Sequence, residues 1–174
     1  MTLRHTVILP LLLGVAPALA DNSAPAGIER LAQLLPGTWK TTGQTFDSQF
    51  TKAGPQAYTT VRDCWREDPE YKCVFLVSGQ LQLFDIFSWD AGDGIYQETQ
   101  FTPQGKQPMF HVSVKNATWT YDQEIESHDG HVVHYRIVRS YTTPKSADYL
   151  YEYSMDGKDW TPIAKGTESR IDAG

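Results

Sequence analysis

The chain has 174 residues, with 15 lysines and arginines against 21 aspartates and glutamates, so its formal net charge is −6. An acidic surface repels phosphate backbones and anionic lipid headgroups, so a nucleic-acid partner is not expected. The length predicts one domain, large enough to bury a proper core.

The first twenty residues have the pattern of a secretory signal peptide. Arg4 supplies a positive start, residues 6–15 form an apolar run, and Ala18-Leu19-Ala20 is an A-x-A cleavage signal. The run is shorter than the roughly 20 residues that span a bilayer. We therefore expect cleavage after Ala20, a mature domain over residues 21–174 in a periplasmic or extracellular space, and no membrane span after cleavage. A retained N-terminal anchor is the alternative.

After the signal, the pattern predicts one short helix followed only by strands. The helix runs from about Pro25 to Leu35, with Ile28 and Leu31 on the same face as Leu35, and ends at Pro36-Gly37. Turn-forming residues separate ten predicted strands, at 37–46, 56–66, 71–79, 81–89, 94–102, 109–115, 117–126, 131–142, 148–155 and 160–171. No separator is long enough for a crossover helix, so the sheet is antiparallel. This spacing is typical of a sandwich or a barrel, and ten hairpin-linked strands favour an all-β, up-and-down barrel of about 8–10 strands.

The two cysteines predict how the strands that carry them pair. Cys64 and Cys73 flank an Asp68-Pro69 turn, which places them opposite each other across a hairpin and close enough for a disulfide. A structural disulfide agrees with an exported protein. The alternative, a redox pair, more often shows C-x-x-C spacing, and the spacing is wrong for zinc.

Two residues near the ends of the predicted barrel mark its closure. Gly37-Thr38-Trp39 opens the first strand, and Arg170 belongs to the last. In a closed barrel these strands are neighbours, so the Arg170 side chain can cover Trp39. We assign Trp39 and Arg170 a structural role and expect any functional site elsewhere.

These motifs carry a family resemblance. Gly37-x-Trp39 with Arg170 resembles the pattern of the lipocalin and fatty-acid-binding superfamily. The chain also resembles the DUF1579-type exported bacterial proteins of unknown function. That resemblance rests on these motifs, on the Cys64 to Cys73 hairpin, on Ser88-Trp89-Asp90 leading to Tyr96, on the Arg136 strand, and on the segment from Tyr153 to Trp160 followed by Gly166. It implies a lipocalin-like barrel and leaves the ligand unassigned.

The strand at 131–142 supplies the sharpest binding hypothesis. One face carries Val133, Tyr135, Ile137, Arg139 and Tyr141. Fatty-acid-binding barrels use an Arg-x-Tyr pair to hold a carboxylate, with a guanidinium on both oxygens and a phenol as a third donor. Here the pair is on about the eighth strand rather than the last, so an ordinary wall pair is the alternative. Arg136 faces the other way, and only one of the two arginines can point inward.

Other strands supply further candidates for the interior. Tyr149, Tyr151 and Tyr153 share one face, and Asp85 lies among apolar residues, where burial would require a partner such as an arginine. The residues on these strand faces form either the packed core or the wall of a pocket. Arg62 shares a face with Cys64, and His111 either lines the cavity or is a hydrogen-bonded wall residue.

Metal and catalytic motifs give no assignment. His128 and His131 lie at the tip of a predicted hairpin, and strand alternation sends His134 to the opposite face from His131. At most two histidines can share an ion, with Glu126 as a possible third ligand. We therefore predict no metal and no cofactor, and we assign no catalytic residue because hydrolase and phosphate-binding motifs are absent from the sequence.

The sequence therefore predicts an exported barrel that binds a small apolar or amphipathic molecule, including a carboxylate-bearing one. The predicted ligand-binding residues are Arg62, His111, Tyr135, Arg136, Arg139, Tyr141 and Tyr151. Two alternatives remain: an enzyme that uses histidine, tyrosine and arginine inside the barrel, and a filled barrel with a structural or interaction role. A cavity below about 300 Å³ would exclude a ligand.

Overall fold

The computed structural model describes residues 26–126 and 130–171. Within them, one helix precedes eleven strands. These are α1 (Ala26–Leu34), β1 (Gly37–Thr45), β2 (Gly54–Glu67), β3 (Glu70–Val77), β4 (Gln80–Asp90), β5 (Ile95–Thr102), β6 (Gly105–Lys106), β7 (Phe110–Lys115), β8 (Thr118–Glu126), β9 (Val132–Thr143), β10 (Ser146–Ser154) and β11 (Thr161–Ile171). Each of the ten predicted strands has an observed counterpart, whereas the two-residue β6 was not predicted.

The strands close into an antiparallel barrel. Each long strand pairs with its neighbour along the chain, β1 pairs with β11, and β4 pairs with β5. The short β6 pairs only with the end of β5, and β5 continues its pairing with β7. The barrel therefore has ten strands, which confirms the predicted all-β, up-and-down architecture with one short helix.

The helix covers one end of the barrel. Three residues of α1 are buried: Ile28, Leu31 and Leu34. They share one face of the helix, so this apolar face packs against the barrel. Trp39 is fully buried at this end, and its indole Nε1 donates to the Leu35 carbonyl oxygen at 3.0 Å. We call the opposite end, which the helix leaves uncovered, the open end. Among the described residues, no helix is long and apolar enough to cross a membrane.

Trp39 and Arg170 lie directly opposite each other on β1 and β11. The Arg170 guanidinium lies 5.0 Å from the Trp39 ring centroid. Its Nη2 also donates to the carbonyl oxygens of Gln33, at 2.7 Å, and Leu34, at 3.0 Å. A cation in contact with the last helical carbonyls stabilises the C-terminal end of α1.

The disulfide prediction is confirmed. Cys64 and Cys73 are directly opposed across β2 and β3, and their sulfur atoms are bonded. The hairpin that joins the two strands turns at Asp68-Pro69, as the sequence predicted.

Two glycines bring β1 and β11 unusually close. Gly43 and Gly166 are directly opposed, and a Cβ built on Gly166 would lie 2.1 Å from the Thr42 carbonyl oxygen. The Tyr149 hydroxyl lies near this bare stretch and donates to Gln56 Oε1 on β2 at 2.8 Å. Tyr149 thus ties β10 to β2 across two intervening strands, which is the covering of interior glycines that aromatic residues provide in sheets.

Candidate functional site

A cavity of about 500 Å³ occupies the barrel interior away from α1. We call this cavity the cup. Its volume exceeds the limit of about 300 Å³ below which a ligand hypothesis would fail. Its walls carry the aromatic and aliphatic side chains of Tyr58, Phe75, Leu83, Ile137 and Tyr151. An apolar wall of this kind is common to pockets for small organic molecules.

Charged side chains meet inside the cup. We call the floor the set of five charged residues that line it, Arg62, Asp85, Glu98, Arg139 and Glu168. Arg62 Nη2 donates to Glu168 Oε1 at 2.7 Å, and Arg139 Nε lies 3.5 Å from Glu168 Oε2. Glu168 therefore lies between two guanidiniums.

The charges of the arginines lower the pKa of the central carboxyl, Glu168. Burial alone would raise the pKa of Glu168, but the charges of Arg139 and Arg62, with the Arg62 hydrogen bond, outweigh it, so this pKa lies below its ordinary value. Glu168 is thus a buried carboxylate with two cationic partners, and it is only 3% exposed.

The other two carboxyl groups of the floor form a pair. Asp85 on β4 and Glu98 on β5 are 2% and 3% exposed and line the same cavity. Gln100 Nε2 donates to Glu98 Oε1 at 2.9 Å. Burial and then the neighbouring Glu98 charge raise the pKa of Asp85 well above its ordinary value, and burial also raises the pKa of Glu98.

Aromatic rings support the two arginines. The Arg62 guanidinium carbon lies 4.9 Å from the Trp39 ring centroid and 5.4 Å from that of Phe75. The Arg139 guanidinium carbon lies 5.7 Å from the Tyr121 ring centroid. These cation–π contacts help to hold two buried cations in place.

Several floor atoms have unused hydrogen-bonding capacity. Among residues 26–126 and 130–171, no partner within hydrogen-bonding geometry is present for Nε and Nη1 of Arg62, Nε of Arg139, Oδ1 of Asp85 or Oε2 of Glu168. The hydroxyl groups of Tyr121 and Tyr141 also have no hydrogen-bond partner among these residues. Such groups are costly to bury, and at a cavity wall they can be satisfied by what enters the cavity.

The predicted site residues divide between the two faces of the barrel. Arg62, Arg139 and Tyr151 line the cup. Tyr141 is buried, and the nearby charges of Arg139 and Arg62 partly offset the burial that raises its pKa. Tyr135 lies near the open end, where its ring centroid is 5.4 Å from that of Phe50.

Two predicted residues do not reach the interior. Arg136 lies on the outer face, where its Nη2 donates to Glu152 Oε2 at 2.8 Å and its guanidinium carbon lies 3.8 Å from the Trp160 ring centroid. His111 is exposed between the buried Phe110 and Val112. Of the alternatives that the sequence left open, the structure therefore places Arg139 rather than Arg136 inside the cup, and it places His111 on the outer face, because strand alternation turns the neighbours of Arg136 and His111 inward instead.

A second cleft, of about 510 Å³, lies outside the cup. His111, Asp122, Glu124 and His134 line it, together with Tyr135 and residues of the 155–160 turn. The His134 Nδ1 atom lies 3.2 Å from Glu124 Oε1. Within the described part of the chain, no three histidine, cysteine or acidic side chains are placed to share a metal ion, and His128 lies outside that part.

Glu98 and Glu168 are the functional candidates that sequence reasoning missed. Each lies in a strand that mixes polar and apolar residues, so neither could be distinguished from a solvated charge. The one signal was indirect: arginines on interior faces of two strands require interior acids as partners. Asp85 was singled out as needing an arginine, and it lines the same cavity as Glu98 and two arginines.

The fold and cavity define a closed antiparallel barrel with a charged floor in a partly apolar cup. No protein-family model matches the chain. No curated protein matches it either. Solved structures share the fold. Rv2717c from M. tuberculosis is 12% identical with a TM-score of 0.51, and the match covers 85% of this chain and 98% of that one.

Two further structures are similar. A protein of unknown function from the DUF3598 family of Nostoc punctiforme PCC 73102 is 11% identical with a TM-score of 0.51, covering 81% of this chain and 49% of that one, so this chain spans about half its length. The structure of EF1p2_mFAP2b bound to DFHBI is 19% identical, covering 83% and 99% of the two chains, with a TM-score of 0.37. At these identities, the first two matches show a shared fold and nothing about function.

Proposed function

We propose that this chain is an exported binding protein whose cup holds a small amphipathic molecule. One observation carries the proposal: a cavity of about 500 Å³ combines apolar walls with a buried floor that has unpartnered polar atoms. The polar part of the ligand contacts the floor, and its apolar part lies along walls such as Ile137 and Tyr151.

The composition of the floor favours binding over a purely structural role. Replacing buried ion pairs with well-packed apolar residues is often neutral or stabilising, so five charged residues do not serve stability best. A filled barrel would place apolar side chains where Arg62, Asp85 and Glu98 stand. Retention of charge beside an open cavity is what recognition of a polar group requires.

The enzyme alternative depended on a histidine inside the barrel. Within the described chain, no histidine lines the cup, since His111 is on the outer face. Binding is therefore the function that the interior supports best.

Native mass spectrometry of the mature protein, purified from its own host, tests the proposal. We expect a non-covalent adduct of small-molecule mass, which disappears under denaturing conditions. Titration with a panel of lipids and hydrophobic molecules should also change the tryptophan fluorescence, because Trp39 contacts the floor through Arg62. No carried mass and no response to any member of the panel would contradict binding.

A matched pair of variants on β9 locates the site. Ile137→Trp fills the cup from its wall, whereas Val138→Trp adds the same bulk to the next position, which alternation turns outward. We expect the first variant to lose binding and the second to keep it, with both checked by thermal unfolding. Equal binding by two folded variants would place the ligand elsewhere.

Export is part of the proposal and has its own test. The A-x-A signal at Ala18 to Ala20 and the Cys64–Cys73 disulfide support an oxidising, extracytoplasmic location. N-terminal sequencing of the protein from its host should begin at Asp21. An intact Met1 would contradict cleavage. Membership of the DUF1579-type proteins remains a proposal that rests on sequence motifs alone.

A further inference from the structure

The floor contains more carboxyl groups than its arginines need. Glu168 lies between Arg62 and Arg139 and therefore balances one of the two positive charges. Asp85 and Glu98 face the charge that remains. The net charge of the floor consequently depends on how many protons this carboxyl pair holds.

The carboxyl pair is placed to share one proton. Asp85 and Glu98 lie on adjacent strands, are almost fully buried, and line the same cavity. Two carboxyl groups buried side by side do not both ionise readily, so we expect the pair to retain one proton between them. With one proton on the pair, the floor has two positive and two negative charges and is neutral overall.

We propose that the floor selects a neutral head group that both donates and accepts hydrogen bonds, such as a hydroxyl or a carboxamide, over a carboxylate. This inference rests on the proposed function, because it specifies the polar part of the ligand. A carboxylate would add negative charge to a floor that is already neutral. It would enter only together with a second proton on the Asp85–Glu98 pair.

The unused hydrogen-bonding atoms of the floor favour the same class. Arg62 and Arg139 offer N–H donors, while Asp85 and Glu168 each have an acceptor oxygen that accepts no hydrogen bond within the described chain. A hydroxyl or a carboxamide can pair with both kinds of atom. A carboxylate only accepts, so it would leave the acceptor oxygens unpaired and close to a like charge.

The surrounding titratable groups do not alter this balance. Burial raises the pKa of Tyr121 on β8, Tyr141 on β9 and Tyr151 on β10, so these phenols stay neutral near physiological pH. Tyr149 on β10 is also neutral, because burial raises its pKa to about 12. On β3, Cys73 opposite Asp85 is disulfide-bonded, and burial raises the pKa of Tyr71, so that phenol is also neutral. The buried Thr41 on β1 and Phe110 on β7 are uncharged.

Calorimetric titration of the mature protein with decanol, decanamide and decanoate tests the inference, because the three share an alkyl chain and differ in the head group. We expect decanol and decanamide to bind with affinities that do not change between about pH 6 and pH 8. Decanoate should bind more weakly, and its affinity should fall about tenfold per pH unit because it enters with a proton. Tight, pH-independent decanoate binding would overturn the inference.

A charge-removing variant gives an independent readout. The double variant Asp85→Asn/Glu98→Gln removes every charge and proton of the pair, so decanoate affinity at about pH 8 should rise at least tenfold and lose its pH dependence. Glu152→Gln is the matched control, because it changes a buried glutamate on the outer face beside Arg136. Decanoate binding that stays as weak in the double variant as in wild type would refute the charge argument.

The outcomes separate the two proposals. Binding of the alcohol or the amide with rejection of the acid supports the head-group inference. Preference for the acid overturns that inference and leaves the binding function intact. Failure of all three probes, together with no adduct in native mass spectrometry, overturns the binding function itself. If the double variant does not fold, the pH series on wild-type protein still decides.

Discussion

Replacing Asp85 with asparagine should change how stability depends on pH. The folded protein holds a proton on this carboxyl at pH values where the unfolded chain has lost it, because burial and the Glu98 charge raise the Asp85 pKa well above 3.8. The stability contribution of such a group is fully present below its unfolded pKa. It is lost progressively as the pH rises through the raised, folded value.

The expected size follows from one retained proton. Each pH unit between the unfolded and folded pKa values lowers the free energy of unfolding by about 1.4 kcal/mol for one proton. Over two such units, wild type should lose about 2.7 kcal/mol relative to Asp85→Asn. A change in hydrogen bonding at this position, worth about 1 kcal/mol, would shift the curve of the variant without changing its slope.

Urea unfolding followed by tryptophan fluorescence at about pH 5, 6 and 7 measures the effect. Asp63→Asn, at an exposed position of β2, makes the same change outside the cup and controls for the substitution itself. The free-energy difference between Asp85→Asn and wild type should grow with pH. Parallel curves for these two proteins would mean that Asp85 holds no extra proton in the folded state, and the shared-proton argument would fail.

Three further changes test the packing around the cup. Glu168→Ala should lower the free energy of unfolding by about 3 to 5 kcal/mol in chemical denaturation, because it leaves two buried guanidiniums without their carboxylate; a loss under about 1 kcal/mol would mean that they are solvated. Replacing Cys64 and Cys73 with alanine should cost about 2 to 3 kcal/mol, and reduction of the wild type should lower its melting temperature equally. Gly166→Ala should cost more than about 2 kcal/mol because its Cβ would meet the β1 backbone, whereas Gly92→Ala in an exposed turn should cost less; equal melting temperatures would contradict the close approach.

The strands were predictable because their signals are local. Turn residues such as Asp68-Pro69 and Asp156-Gly157 interrupt short alternating runs, and each run is long enough for its period to be read. The two residues of β6 have no period of their own, and their pairing with β5 follows only from the turn that precedes them. Closure also depended on a long-range inference, since β1 and β11 meet only after the whole barrel has formed.

The candidate site was less predictable because orientation is not a local property. Alternation placed Arg139 and Arg136 on opposite faces of β9, but both faces contain apolar residues beside the arginine. The choice is made by partners on other strands: Glu168 beside Arg139 in the interior, and Glu152 with Trp160 outside. No single-strand pattern contains that information.

The position of the floor sets how a ligand can interact with it. Rings of Trp39, Phe75 and Tyr121 lie against the two guanidiniums, and the packed core next to α1 closes that end of the barrel. The floor can therefore exchange hydrogen bonds only with what enters from the cup. Because mismatched buried polar groups cost more than a lost apolar contact, selectivity should depend on the head group more than on the shape of the apolar part. A series of alcohols that differ in chain structure should consequently bind with a narrower spread of affinities than ligands that share one chain and differ in head group.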